Sequence, residues 1–167
     1  TNTNTSWSIY KVENGCSFNT NKLNVKLHLE ILVAGVISLN VLVAEDNLFT
    51  IQQYKHILEK KGCKVTIAHD GEECMQKFDD AFLRLDPALV ESGPFDVVLI
   101  DNNMPKKNGA EVVKEILKRS PKQRIIFASA YNIGSILNAS EAVMGDVEIL
   151  QKPFSLNTMI AKIQTKK

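Results

Sequence analysis

Five polar residues stand at the points where four apolar stretches of the chain end. They are Glu45, Asp46, Asp101, Ser129 and Lys152. The apolar stretches have the composition of buried strands, and open parallel α/β sheets bind ligands just beyond the carboxyl ends of their strands. The order of these residues along the chain therefore predicts one polar site at a single edge of a sheet.

The residue types at this predicted site suit metal-assisted phosphoryl transfer. Mg²⁺ prefers oxygen ligands and keeps several waters, so the carboxylates of Glu45, Asp46 and Asp101 can hold it, with Mn²⁺ as an alternative ion. Three close carboxylates repel one another, so a divalent cation and the ammonium of Lys152 are needed to neutralise them. Asp101 can then attack phosphorus, while Ser129 donates a hydrogen bond to the transferred oxygens.

Each residue taken alone also fits a structural role. Glu45 and Asp46 fit the acidic first turn of a helix, which the helix dipole favours. Asp101 fits a turn, Ser129 an ordinary strand end, and Lys152 a solvated corner before a helix. Their occurrence in order at four different strand ends favours the site over these separate explanations.

The elements that must position these residues alternate between strand and helix patterns, with a repeat of roughly 25 residues from Asn40 onward. The predicted strands are Val41–Ala44, Cys63–Ile67, Phe95–Ile100, Ile125–Ala128 and Val147–Leu150. The predicted helices start near Leu48, Asp70, Ala110 and Ser155, with a further one somewhere within Ile133–Met144. Such alternation implies a parallel, right-handed, doubly wound α/β sheet.

Several helix limits are indicated by individual residues. Asp70 with Glu73 resembles a capping box at the start of the second helix, and Ser155 can cap the last one. The run from Lys60 to Gly62 places cations and a glycine where the first helix should stop. A break at Ser120–Pro121 ends the third helix.

Composition limits the domain organisation and the classes of partner. A chain of 167 residues with 44% apolar content suits one domain, here 39–167, with an N-terminal extension, 1–38. The formal charge of +1 gives no reason to expect nucleic acid as a partner. Three cysteines without metal-ligand or disulfide spacing favour a reducing, cytoplasmic location. The apolar run Ile31–Leu39 is too short and too interrupted to span a membrane.

The extension changes character along its length. Residues 1–22 are polar and have no period, whereas apolar and polar residues alternate from Leu23 to Ile31, as in a half-buried strand. Three interpretations stay open: an added strand or hairpin, a strand that pairs with another subunit, and unstructured chain. The first methionine is Met75, so the sequence leaves open whether the start is a processed terminus or the cut end of a longer chain.

Four short motifs resemble those of the response regulator receiver domain of two-component signalling. They are Val-Leu-Val-Ala-Glu-Asp-Asn at 41–47, Ile-Asp-Asn-Asn-Met-Pro-Lys-Lys-Asn-Gly at 100–109, Phe-Ala-Ser-Ala at 127–130 and Gln-Lys-Pro-Phe at 151–154. The resemblance covers about residues 39–165. It implies a flavodoxin-like sheet with strand order 2-1-3-4-5, and helices on both faces.

The resemblance also implies a role for each site residue. Asp101 is then the phosphoacceptor, Glu45 and Asp46 the acidic magnesium pair, and Asn103 a ligand through its backbone carbonyl. Ser129 matches the switch hydroxyl, and Lys152 matches the family's lysine, which often precedes a proline in a cis peptide.

The resemblance further implies how the protein works and what it contacts. Members take a phosphoryl group from a histidine kinase or phosphotransfer protein, catalyse only their own phosphorylation and dephosphorylation, and shift between two conformations that control a protein partner. They are signalling phosphoacceptors rather than enzymes acting on external substrates. A monomer or weak dimer is expected, and the output surface should lie near the fourth helix, fifth strand and fifth helix.

The sequence departs from the family pattern at the switch positions. The usual aromatic switch residue lies three positions before the lysine, where this chain has Ile149, so an aromatic switch is in doubt. Ala130 and Tyr131 follow the switch hydroxyl, and Tyr131 and Asn103 occupy positions that influence phosphoryl lifetime in this family. For Tyr131, a partly exposed loop aromatic is an equally good interpretation.

Two other functions stay open beside the phosphoacceptor. A degenerate receiver could act as a phosphorylation-independent scaffold, which the extension and the missing aromatic favour. An aspartate-nucleophile phosphatase would carry a second acid two positions beyond the nucleophile, where this chain has Asn103. No effector domain follows, so the chain resembles a stand-alone regulator or the terminal receiver of a larger kinase.

Overall fold

The computed structural model describes residues 38–130 and 147–165. The strands are β1 Asn40–Ala44, β2 Lys64–Ala68, β3 Val97–Asp101, β4 Ile125–Ser129 and β5 Val147–Gln151. The helices are α1 Leu48–Lys60, α2 Gly71–Phe82, α3 Gly109–Arg119 and α4 Leu156–Gln164, with a short 3₁₀ turn at Pro87–Leu89. The predictions for the extension before residue 38, for a helix within Ile133–Met144 and for Tyr131 lie outside the described residues.

The five strands form one parallel sheet in the order β2-β1-β3-β4-β5, which confirms the predicted fold. Alternate residues of the central strands enter two separate apolar clusters, one on each face of the sheet. Every residue of β3 is buried, as expected for a central strand covered by helices on both faces. The polar site therefore rests on a rigid core.

The strand ends differ slightly from the prediction. Asp101 and Ser129 were expected just beyond their strands, but they are the last residues of β3 and β4. Asp101 stays in register with Ala128, and Ser129 stays in register with Gln151. The ladder continues through these polar residues because strand pairing uses backbone groups only.

Side-chain caps begin each helix. The Asp70 carboxylate accepts a bond from Glu73 N, but Glu73 accepts from His69 N rather than from Asp70 N, so the predicted capping box is only half formed. A complete box joins Asn108 and Glu111 at the start of α3, where the sequence analysis did not place one. Ser155 caps α4 as predicted.

Three further expectations concern the helices. Gly62 follows α1 with a φ of 82°, and α3 ends before Ser120, as predicted. Leu48 was assigned to the apolar repeat of α1, but it is 66% exposed because it lies in the first turn, beyond the edge of the sheet. Within residues 38–130 and 147–165, no helix has the length and apolar character needed to cross a bilayer.

Candidate functional site

The carboxylates expected to bind a metal converge where the strand order reverses, between β1 and β3. Ala44 is in register with Ile100, so Glu45 and Asp101 lie beside each other at the carboxyl edge of the sheet. One oxygen from each of Glu45, Asp46 and Asp101 falls within 4.8 Å of the others. Glu45 and Asp101 are buried, and Asp46 is exposed. Ligand sites of doubly wound sheets are found at this switch point.

Lys152 supplies the cation that the sequence predicted for this cluster. Its Nζ lies 2.9 Å from Asp101 Oδ1 and 3.6 Å from Glu45 Oε2. The backbone places it there, because Lys152 N donates to Ser129 O at 2.8 Å and so continues the β4–β5 ladder. The Lys152–Pro153 peptide is cis, as the resemblance led us to expect. One ammonium thus faces two buried carboxylates.

The electrostatics of the cluster fit a divalent cation. Burial raises the pKa of Glu45, and the neighbouring Asp101 and Asp46 raise it further, against the opposing effects of the Asn47 N–H and Lys152. A single ammonium does not neutralise three carboxylates, so a hard cation with oxygen ligands would relieve the remaining repulsion. Glu45, Asp46 and Asp101 are the residues that would hold it.

Three other predicted residues lie on the same edge of the sheet. Ser129 is 1% exposed at the end of β4, and exposed Ala130 follows it. Asn103 lies two residues after Asp101 and is exposed. Its side-chain oxygen accepts a hydrogen bond from the side-chain amide of Asn102. Its role as a backbone ligand stays a prediction. Ile149 lies on β5 two residues before Gln151, the register partner of Ser129; it is in register with Phe127 and is 41% exposed.

Tight packing holds the end of β3, which carries Asp101, against α3. A Cβ added at Gly109 would lie 2.2 Å from the Asp101 carbonyl oxygen, so only glycine fits there. Gly109 N also donates to Asn102 O at 3.0 Å. The backbone that carries Asp101 is therefore fixed from the helix side.

Tyr54 is a site neighbour that the sequence analysis did not select. Burial raises the pKa of its hydroxyl, and the charges of Glu45 and Asp101 raise it further. Its ring stacks on Phe154 with centroids 6.2 Å apart, and both line a cleft of about 420 Å³ that reaches Ala130 and Lys152. The signal was present in the spacing of Ile51, Tyr54 and Leu58, which all face the sheet from α1.

Two large apolar side chains lie in the exposed first turn of α1. Leu48 is 66% exposed and Phe49 is 68% exposed, immediately after Asp46 and the capping residue Asn47. Neither enters the apolar clusters on the two faces of the sheet. The rim of the acidic site therefore combines negative charge with an apolar surface.

The fold and the site define a doubly wound α/β protein with an acidic, metal-suited centre at the topological switch point. The sequence profile of the response regulator receiver domain matches residues 41–164. The chain belongs to this family, and it is a receiver domain of two-component signalling. Receiver domains bind Mg²⁺ at an acidic cluster, and the three carboxylates at the edge of this sheet fit that site.

Individual relatives agree with this assignment. Chemotaxis protein CheY of Thermotoga maritima is 31% identical over 122 residues, which are 72% of this chain and 90% of that protein. Transcriptional regulatory protein CpxR of Klebsiella pneumoniae is 30% identical over 125 residues, or 74% of this chain and 47% of that protein. The chain thus spans about half the length of that regulator. The structure of CheY4 from Vibrio cholerae aligns with a TM-score of 0.61 and 26% identity, covering 76% and 97% of the two chains.

Proposed function

We propose that this receiver domain accepts a phosphoryl group on Asp101, with Mg²⁺ at the acidic cluster, and thereby controls a protein partner. The observation that carries the proposal is the convergence of Glu45, Asp46, Asp101 and Lys152 from three strand ends. A nucleophilic carboxylate held beside a cation in a mostly buried pocket is the arrangement that phosphoryl transfer requires.

The chain's own residues account for most of the chemistry. An oxygen of Asp101 bonds to phosphorus as the donor's bond to phosphorus breaks, and the electron pair of that bond leaves with the donor group. Lys152 stands 2.9 Å from Asp101 and in this proposal binds the transferred oxygens, while the hydroxyl of Ser129 at the end of β4 donates to them. Mg²⁺ bound by the carboxylates would supply further positive charge beside these oxygens.

The donor in this proposal is a histidine kinase or phosphotransfer protein. The side chains of Leu48 and Phe49 support it, because two large exposed apolar groups beside the acceptor offer a surface for a protein donor. A phosphohistidine has to approach Asp101 closely, so the donor must contact this rim.

The consequences of phosphorylation are also part of the proposal. The domain catalyses only its own phosphorylation and dephosphorylation, and the modified form contacts a downstream protein. Ser129, one row from the acceptor, is the expected link to that change. A cytoplasmic location is proposed as well, since Cys63 and Cys74 are free thiols, as is usual in a reducing compartment.

The test is the intact mass of the full chain after incubation with acetyl phosphate and Mg²⁺. We expect an adduct of about 80 Da that a chelator prevents and that Asp101→Asn lacks. Asp80→Asn is the matched control, because Asp80 is exposed on α2 and makes no ion pair within the described chain. Lys152→Ala should still label to some extent, since the nucleophile remains.

The outcomes separate the phosphoacceptor from its alternatives. Equal labelling of Asp101→Asn and wild type would refute the assignment of the acceptor. A folded wild type that takes up no phosphoryl group, with adduct lifetime shown not to limit detection, would favour the phosphorylation-independent scaffold. Steady release of phosphate from external esters would favour a phosphatase, against which Asn103 argues.

A further inference from the structure

The loop that follows the phosphoacceptor contains a backbone conformation that needs support. Lys106 has a φ of 64°. Among residues 38–130 and 147–165, no other residue except glycine has a positive φ. The left-handed region is sterically unfavourable for an L-residue such as lysine, so surrounding contacts must hold it there. Lys106 lies between Asn103 and the capping residue of α3, Asn108. The contacts that hold Lys106 therefore affect the course of the whole loop, residues 102–108.

An ion pair to a different loop provides one such contact. Lys106 Nζ lies 2.7 Å from Asp70 Oδ2, and 3.9 Å from Glu72 Oε2. The Asp70 side chain is only 12% exposed, and its other oxygen accepts the Glu73 N–H at the start of α2. The ammonium of Lys106 and the hydrogen bond from Glu73 N–H lower the pKa of Asp70, so Asp70 is ionised at neutral pH. Lys106 is thus bound to a carboxylate that is itself fixed.

The same two loops also touch through their backbones. A Cβ added at Gly71 would lie 2.1 Å from the Lys107 carbonyl oxygen, so the start of α2 and the loop after β3 are in direct contact. Within the loop, Lys107 N donates to Pro105 O at 2.8 Å. The ion pair therefore closes a contact at which the backbones already meet.

We propose that the Lys106–Asp70 ion pair is a positioning clamp that holds the loop carrying Asn103 and so raises the affinity of the acidic site for its divalent cation. The inference deepens the proposed function and rests on it, because Asn103 is expected to offer its backbone carbonyl to the ion. Neither Lys106 nor Asp70 contacts the reacting atoms, so both are positioning residues.

The sign of the effect distinguishes a clamp from simple charge. Lys106→Met removes a positive charge near the cation site, so Coulomb forces alone would tighten binding of Mg²⁺, whereas loss of the clamp weakens it. Asp70→Asn weakens binding on either account, and it preserves the start of α2 because asparagine caps helices as well as aspartate does. Lys106→Met is therefore the variant that distinguishes a clamp from a simple charge effect.

The experiment is a calorimetric titration of the full chain with MgCl₂. Lys106→Met and Asp70→Asn should each raise the dissociation constant about threefold, the scale of an exposed ion pair, and the double variant should be no weaker than either single one. Lys122→Met is the matched control: it breaks the exposed Lys122–Glu91 pair at the opposite edge of the sheet and should leave the constant unchanged.

A second measurement needs no metal. Hydrogen exchange in chelator should show faster exchange at residues 102–108 in Lys106→Met, including the Lys107 amide, and no change there in Lys122→Met. Unaltered or tighter Mg²⁺ binding by Lys106→Met would overturn the clamp, as would additive effects in the double variant. A wild type without saturable Mg²⁺ binding would instead overturn the proposed function, while unchanged exchange would overturn the clamp alone.

Discussion

Replacing Gly109 by alanine tests whether the backbone of Asp101, the proposed phosphoacceptor, is fixed from the α3 side. The added Cβ would lie 2.2 Å from the Asp101 carbonyl oxygen and 2.9 Å from Asn102 Cα. The closer contact is more than about 1 Å inside van der Waals separation. Both neighbours are backbone atoms of β3 and its loop, so no rotation of a side chain can relieve the overlap. Either α3 or the end of β3 has to move.

The magnitude follows from two opposing terms. Overpacking of this kind costs about 1–3 kcal/mol. Alanine in a helix recovers up to about 1 kcal/mol relative to glycine. We therefore expect a net loss of about 1 kcal/mol in the free energy of unfolding. The reaction should suffer more, because a displacement of about 1 Å in a reacting group can slow a reaction by up to about 100-fold.

The assay combines urea unfolding with the rate of adduct formation from acetyl phosphate at saturating Mg²⁺. Gly109→Ala should label at least about tenfold more slowly while most of the protein stays folded. Lys114→Ala is the control, since Lys114 is exposed on the same helix and should change stability by less than about 0.5 kcal/mol. Wild-type labelling in Gly109→Ala, with equal or greater stability, would show that the contact does not position Asp101.

Three further outcomes concern buried and half-buried residues. Phe78→Ala should lower the free energy of unfolding by about 3–5 kcal/mol in urea, because the ring is fully buried; a loss below about 1 kcal/mol would contradict the packing. When the third cysteine is replaced by serine, Cys63 and Cys74 should react slowly with thiol reagents in the native protein. The reason is that burial raises the pKa of both thiols, that of Cys74 to about 12. Rapid labelling of the native protein would contradict their burial. Burial raises the pKa of Glu148, but its contacts with Arg124 and Lys162 together outweigh this and hold the pKa below the ordinary 4.5. The stability that this carboxylate contributes is therefore present above that pH and is lost as the pH falls through the folded-state pKa. Glu148→Gln should therefore flatten the acid side of the stability profile, and an unchanged slope would argue against this linkage.

The central part of the fold could be predicted from the sequence because β1, β3 and β4 contain continuous apolar runs with abrupt polar ends. Val97–Ile100 shows this most clearly, since burial on both faces leaves no polar residue until Asp101. Glu45 and Lys152 were predicted for the same reason: parallel strands bring their carboxyl ends to one edge. Their individual roles in the reaction remain predictions.

Contacts between loops could not be predicted in the same way. Lys106 and Asp70 are far apart in the sequence, and their contact depends on a left-handed backbone turn that lysine does not signal. The capping box at Asn108 was missed because the surrounding residues also fit an ordinary turn. Leu48 fitted the apolar repeat of α1, but a repeat does not show where the core ends.

The spread of the site over the sheet has a consequence for biosynthesis. Glu45 follows the first described strand, and its cationic partner Lys152 follows the last. During synthesis the carboxylates therefore emerge from the ribosome before Lys152, whose ammonium they face. β5 must join the edge of the sheet before Lys152 and Glu45 can meet. Any truncated translation product that ends before β5 would lack this charge pairing. The polar site is thus completed only after β5 has been synthesised and has paired with β4.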